Sequence, residues 1–177
     1  FRGSPPLGYW RIFEMDSDGT IIWIEEYQMG AKPIQAVFVS ANHLLVMGHS
    51  MGKNIHLLNL TAQGDSISAT ITEDEDSQEA AGMLLDSDSN LLIYGYGDYN
   101  LFYLDTLGNV LWKNTLELPD TTLATHGALS AVETNDGNYV FLTWGSGSYI
   151  NAILETDRTG NTIWWERVPG SVDDGNS

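Results

Sequence analysis

Residues 9–27, YWRIFEMDSDGTIIWIEEY, contain the pattern Asp16-x-x-Gly19-x-x-x-Trp23, and the chain writes that pattern three times. It returns as Asp105-x-x-Gly108-x-x-x-Trp112 and as Asp157-x-x-Gly160-x-x-x-Trp164, with a worn copy, Thr61-x-x-Gly64-x-x-x-Ser68, between the first two. The four glycines fall 45, 44 and 52 residues apart. Each copy reads as a β-hairpin. Gly supplies the positive φ of a tight turn, Asp hydrogen-bonds its own backbone there, and β-rich runs flank both. The indole follows at a fixed offset in three copies, which places it in one recurring slot between neighbouring units.

A second motif precedes the first in each unit. Asn42-His-Leu-Leu-Val-Met-Gly48, Asn90-Leu-Leu-Ile-Tyr-Gly95 and Asn138-Tyr-Val-Phe-Leu-Thr-Trp-Gly145 begin 48 residues apart. An apolar run that opens at a turn and closes at Gly reads as a strand buried on both faces. Small residues stand before it, in Ala80-Ala81-Gly82 and His126-Gly127-Ala128, as suits an innermost strand beside a crowded channel. Turn chemistry repeated every 40–50 residues predicts an all-β chain of four-stranded antiparallel blades, a β-propeller. A β-sandwich is the competing architecture, but it has no reason to repeat its turns at constant spacing.

Aligned on these motifs, residues 1–27 form the outer half of a blade, 28–72, 73–118 and 119–168 form three whole blades, and 169–177 open another. This is a single partial propeller or a window of a longer array, because stranded half-blades leave open sheet edges. The alternative is a small ring completed by a partner chain. Glu73–Asp76 reads as an acidic connector.

Seven Lys and Arg against 24 Asp and Glu give a net charge of −17. That charge disfavours nucleic acid and anionic membrane surfaces as partners. No apolar run is long enough for a transmembrane helix. Cys is absent, which removes disulfides and thiol chemistry. The chain starts at Phe1 rather than Met, as after loss of a leader or in a fragment, and Asn59-Leu60-Thr61 is a glycosylation sequon. With the acidity and the repeat type, these features favour an extracellular or periplasmic location.

YLDTLGNVLW and LETDRTGNTIWWERV resemble the repeats of quinoprotein-like (PQQ-like) β-propellers and their secreted, cofactor-free relatives. That resemblance covers nearly the whole chain and implies blades, not an activity; quinone enzymes of the type add calcium ligands, a base and often a vicinal disulfide. YWRIFEMDSDGTIIWIEEY and THGALSAVETNDGNYVFLTW are also similar to blades of arylsulfotransferase-like propellers. The second resemblance implies a His nucleophile for sulfuryl transfer. His126 is the residue that matches, whereas Gly30 and Gln78 stand at the aligned positions of the other units.

Four groups are candidate sites. His126 is the catalytic candidate, but a sulfuryl-accepting His needs a cationic clamp, and the basic residues are scattered. His43, His49 and His56 alternate along one unit, where zinc would need three converging ligands. Asp86-Ser-Asp88-Ser-Asn90 carries the opening rhythm of a calcium loop, making calcium the one cofactor to consider, yet Leu91 and Gly97 stand where Gly and a bidentate acid belong. Tyr94, Tyr96, Tyr99, Trp144 and Tyr149 lie near strand ends and form an aromatic binding candidate for a sugar or a protein. The sequence favours a non-catalytic extracellular scaffold or recognition module that binds protein or glycan, or joins blades from the same or another chain. An arylsulfotransferase-like or quinoprotein-like enzyme fragment and a structural subunit of a surface filament are the alternatives.

Overall fold

The computed structural model describes residues 8–50, 54–72, 78–97, 101–116, 125–145 and 151–168. All regular structure among them is β-strand, in antiparallel pairs joined by short turns. Contacts divide the chain into two compact units, Phe1–Asp74 and Glu75–Ser177. Residues 1–7, the acidic connector Glu73–Asp76 and residues 169–177, read from sequence as the opening of another blade, lie outside the described residues.

In the first unit, β1 (Tyr9–Met15) and β2 (Ile21–Gln28) form a two-stranded hairpin. The strands β3 (Lys32–Ser40), β4 (His43–His49), β5 (Ile55–Thr61) and β6 (Ser66–Thr72) form a four-stranded meander. The apolar run at β4 is buried along its length, as a central strand requires. The two sheets meet through Trp10, Leu44, Val46, Leu58 and Leu60, with Ile12, Tyr27, Met29 and Ala31 packed around them. Trp10 is 1% exposed and donates its indole N–H to the Ala31 carbonyl at 2.7 Å.

In the second unit, β7 (Gln78–Leu85), β8 (Leu91–Gly97), β9 (Leu101–Leu104) and β10 (Val110–Asn114) form one meander. The strands β11 (Thr125–Glu133), β12 (Tyr139–Gly145), β13 (Asn151–Thr156) and β14 (Thr162–Arg167) form the other. Among the described residues one backbone pairing, Gly127 with Tyr96, joins them. Their shared core holds Leu92, Tyr94, Leu101, Tyr103, Tyr139, Phe141 and Leu154, with Trp112 and Trp165 against it.

The repeated turn has one construction. Asp16 Oδ1 accepts from the N–H groups of Asp18 (3.0 Å) and Thr20 (2.8 Å), and Gly19 sits at φ 83°. A left-handed residue closing such a turn makes a bulge that suits the right-handed twist of the strands. Asp105 and Asp157 repeat both carboxylate bonds. In the worn copy Thr61 Oγ1 takes the place of the carboxylate, accepting from Gln63 and Asp65. The upstream turn at Asp86 follows the same plan, with Ser89 at φ 62° in the position of the glycine.

The small residues of the inner strands have a local cause. A Cβ on Gly82 would lie 2.4 Å from the Tyr94 hydroxyl, and one on Gly127 would lie 2.0 Å from the Gly95 carbonyl. Neighbouring strands exclude side chains there, so crowding at a central channel is not needed to explain them.

Candidate functional site

The three indoles of the repeat face the same way on their hairpins. Trp23 pairs across strands with Glu14, Trp112 with Tyr103 and Trp164 with Glu155. Trp23 donates to Glu14 Oε2 at 2.7 Å and to the Ala62 carbonyl at 3.1 Å, with its ring over the Gly64 turn. Trp112 stacks on Tyr103, with ring centroids 5.0 Å apart. Trp164 donates to Glu155 and is 42% exposed. Its neighbour Trp165 points to the opposite face and packs on the core, as alternation along a strand requires.

At the turn end of the second unit a polar assembly ties the two meanders together. The Asp86 carboxylate is 5% exposed. Its Oδ1 accepts from the backbone N–H groups of Asp88 (3.0 Å) and Asn90 (2.8 Å). Its Oδ2 accepts from the hydroxyls of Tyr103 (2.5 Å) and Tyr139 (2.9 Å). Asn90 Nδ2 also donates to the Tyr103 oxygen at 3.0 Å. Burial, and then the bond to the Asp86 carboxylate, hold both phenols above their ordinary range, so they act as donors and not as acids.

Arg158, the second residue of the third repeat, closes the rim above this node. Its guanidinium binds Asp88, Ser87 Oγ at 3.1 Å, Glu133 Oε1 at 3.0 Å and, through Nε, the Gly137 carbonyl at 3.0 Å. Glu133 in turn accepts from the N–H and the hydroxyl of Ser87, at 2.7 and 2.6 Å. Ser87, Glu133, Thr134, Asn135, Asp136, Gly137 and Arg158 line a polar cleft of about 410 Å³.

No family model matches the chain, and no curated protein matches it by sequence. Among the solved structures that match it in three dimensions are two crystal structures. One is a protein of unknown function from Bacteroides caccae, with TM-score 0.58 and 16% identity over 90% of this chain and 55% of that one. The other is virginiamycin B lyase from Staphylococcus aureus, with TM-score 0.56 and 18% identity over 92% of this chain and 49% of that one. The fold is that of a β-propeller. The chain spans about half the length of each of these two structures. At these identities the likeness carries fold and not chemistry.

The residues singled out in the sequence separate on this propeller segment. Tyr94 is buried and meets Phe141 edge to face at 6.4 Å, so its ring fills the core and offers no stacking surface. Tyr96 lies at the far end of β8, where its backbone pairs with Gly127, and Trp144 pairs with the same Gly127 from β12. The backbones of Tyr96 and Trp144 therefore share the end of the sheet opposite the Asp86 turn. Tyr99, Tyr149 and the side chains of Trp144 and His126 lie outside the described residues.

Asp86, Asp88 and Asn90 are engaged by protein. Both Asp86 oxygens accept hydrogen bonds, and the Arg158 guanidinium occupies Asp88. In this structure the Asp86-x-Asp88-x-Asn90 stretch forms a turn braced by these bonds. Among the described residues no group of three or more His, Asp or Glu side chains is placed to hold a metal ion. His43 Nε2 meets Asn59 Oδ1 at 2.7 Å, whereas both ring nitrogens of the buried His56 and Nδ1 of His49 have no partner. Burial, reinforced by the neighbouring His49, lowers the His56 pKa and keeps that ring neutral.

Sequence reading missed Arg158, Glu133, Tyr103 and Tyr139. The available signal was charge. Arg158 is one of seven basic residues in a chain of net charge −17, and it occupies the apex of a repeat turn whose other copies carry Ser17, Thr106 and Ala62.

Proposed function

We propose that the chain is a non-catalytic extracellular or periplasmic scaffold or recognition module whose rim of turns binds a protein or a glycan. The observation that carries this reading is the cleft at Ser87, Glu133, Asn135, Asp136 and Arg158. Its Ser87, Glu133 and Arg158 side chains are fixed by one another and by backbone, which holds a hydroxyl and a carboxylate in a preset arrangement. A preorganised polar surface suits a hydroxyl-rich ligand, because little ordering entropy is lost on binding. The guanidinium that could clamp an oxyanion is already spanned by Asp88 and Glu133, which counts against group transfer at this place.

A glycan array probed with the wild-type chain and with an Asn135→Ala/Asp136→Ala variant tests the reading. Saturable binding that disappears in the variant, at unchanged thermal stability, supports it. Binding indifferent to the substitutions, or turnover of an aryl sulfate donor by the chain, overturns it.

A further inference from the structure

The repeat contains an unspent interface. In every outer hairpin the motif Trp, or Ser68 in the worn copy, and its cross-strand partner face one way, and the residues one step along face the other. The second set pairs as Phe13 with Ile24, Leu58 with Ala69, Phe102 with Lys113 and Leu154 with Trp165. Both units contain the same contact between these faces. In the first, the β1–β2 face that carries Trp10, Ile12 and Tyr27 beside Trp23 packs on Leu58 and its neighbours. In the second, the face that carries Tyr94, Tyr103 and Trp112 packs on Phe141, Leu154 and Trp165.

One face of each kind is left over. On β11–β14, Val132, Val140, Glu155 and Trp164 form a row across the sheet, with Leu142 and Ile153 in the next row on that side. Val132, Leu142, Ile153 and Trp164 are all exposed. On β1–β2, the face opposite Trp10 presents Tyr9, Phe13, Met15, Ile21 and Ile24, all exposed. The contrast at one repeat position is sharp. Leu58, Phe102 and Leu154 are at most 1% exposed, and Phe13, which occupies their place, is 48% exposed. Apolar patches of this kind on a rigid sheet mark contact surfaces.

We propose that these two faces bind each other between copies of this chain, the Trp164 face of one copy seating on the Phe13 face of the next. The occupant is identified by the repeat itself. A Trp-bearing face has the Leu58 or Leu154 type of face as its partner in both units, and the only described copy of that face standing open is the one at Phe13. Such a contact is heterologous, head to tail. Glu155 and Glu166 lie on the Trp164 face, and each copy carries a charge of −17, so added salt strengthens the association by screening repulsion. This contact is independent of ligand recognition at the polar cleft.

Light scattering behind size exclusion, from low micromolar to submillimolar chain and at low and high salt, reads the assembly state. A concentration-dependent dimer or larger oligomer, favoured by salt, is expected. Trp164→Glu and Phe13→Asp each abolish it, with circular dichroism and thermal melting confirming that both variants fold. Leu107→Glu, at an exposed apolar residue of the β9–β10 turn, leaves it unchanged. An equimolar mixture of the Trp164→Glu and Phe13→Asp chains still forms a one-to-one pair, because each retains the face the other has lost. A monomer under all conditions overturns the proposal and leaves both faces to further blades of a longer chain. Assembly that survives either substitution, or a mixture that fails to pair, overturns it as well.

Discussion

Trp23 lies against the backbone of Gly64, 41 residues along the chain, so closely that a Cβ there would approach the indole to 2.8 Å. The indole that follows one turn thus covers the turn of the next sheet, and the glycine needed for its positive φ also keeps the ring's seat clear. The two requirements separate by mutation. Gly19 has φ 83° and open space where a Cβ would stand, so Gly19→Ala carries backbone strain alone. It is expected to lose about 1 kcal/mol. Gly64→Ala, at φ 89°, adds the clash with Trp23 and is expected to lose about 3 kcal/mol. Chemical denaturation of both variants measures the difference. Equal losses would show that the Trp23 contact carries no energy.

The Asp86 carboxylate is expected to be the polar keystone of the second unit. Tyr139→Phe removes one of the two hydroxyls that donate to Oδ2, and Tyr103→Phe removes the other. Each single change should lose about 1.5 kcal/mol, as for a hydrogen bond to a charged group. The double variant leaves a buried oxygen without either phenol and should lose more than the sum, with a coupling of about 1 kcal/mol. A double-mutant cycle by denaturant titration is the measurement, and strict additivity would show that the two phenols act independently.

Ser89 offers a stabilising substitution. It holds φ 62° in a turn whose counterparts use Gly19, Gly64, Gly108, Gly137 and Gly160. A side chain in that region carries a steric penalty that glycine escapes, partly offset by the greater freedom of glycine in the unfolded chain. Ser89→Gly is therefore expected to gain about 0.5 kcal/mol, or roughly 1–2 °C in Tm for a chain of this size. A lower Tm would mean that the Ser89 side chain contributes a contact worth more than its strain.

The hairpins were legible in the sequence because their determinants are local. Asp or Thr, then Gly three residues later, sets the turn, and the turn sets the register of the strands it joins. The meanders were legible for the same reason, since each apolar run opens at its own Asn. Asp86 shows where that legibility ends. Its spacing to Asp88 and Asn90 is compatible with a cation loop and with a braced turn alike, and the groups that brace it come from afar: Tyr139 lies 53 residues from Asp86 and Arg158 lies 70 from Asp88. Tyr94 shows the converse. Near a strand end in sequence it resembles a rim aromatic, but alternation along β8 turns it toward Phe141. Long-range side-chain pairing, which local turn chemistry does not encode, separates the legible part from the rest.

His56 is expected to make the chain sensitive to mild acid. Its ring is 5% exposed, and neither nitrogen has a partner. Burial comes first and the nearby His49 second in lowering its pKa below 6.5. The unfolded chain therefore takes up a proton on this residue at a higher pH than the folded chain does. Stability from keeping the ring neutral is fully present above about pH 6.5 and is lost as pH falls from there toward the depressed folded value. The loss is bounded at about 1.4 kcal/mol per pH unit for one proton. His56→Leu removes both the titration and two unpartnered buried nitrogens. Replacing an unsatisfied polar group by an apolar one of similar volume is close to neutral or stabilising at neutral pH. Denaturant titrations of the wild type and His56→Leu between about pH 7.5 and pH 5 should therefore give curves that diverge as pH falls, with the variant the flatter. Parallel curves would assign the acid sensitivity to another group.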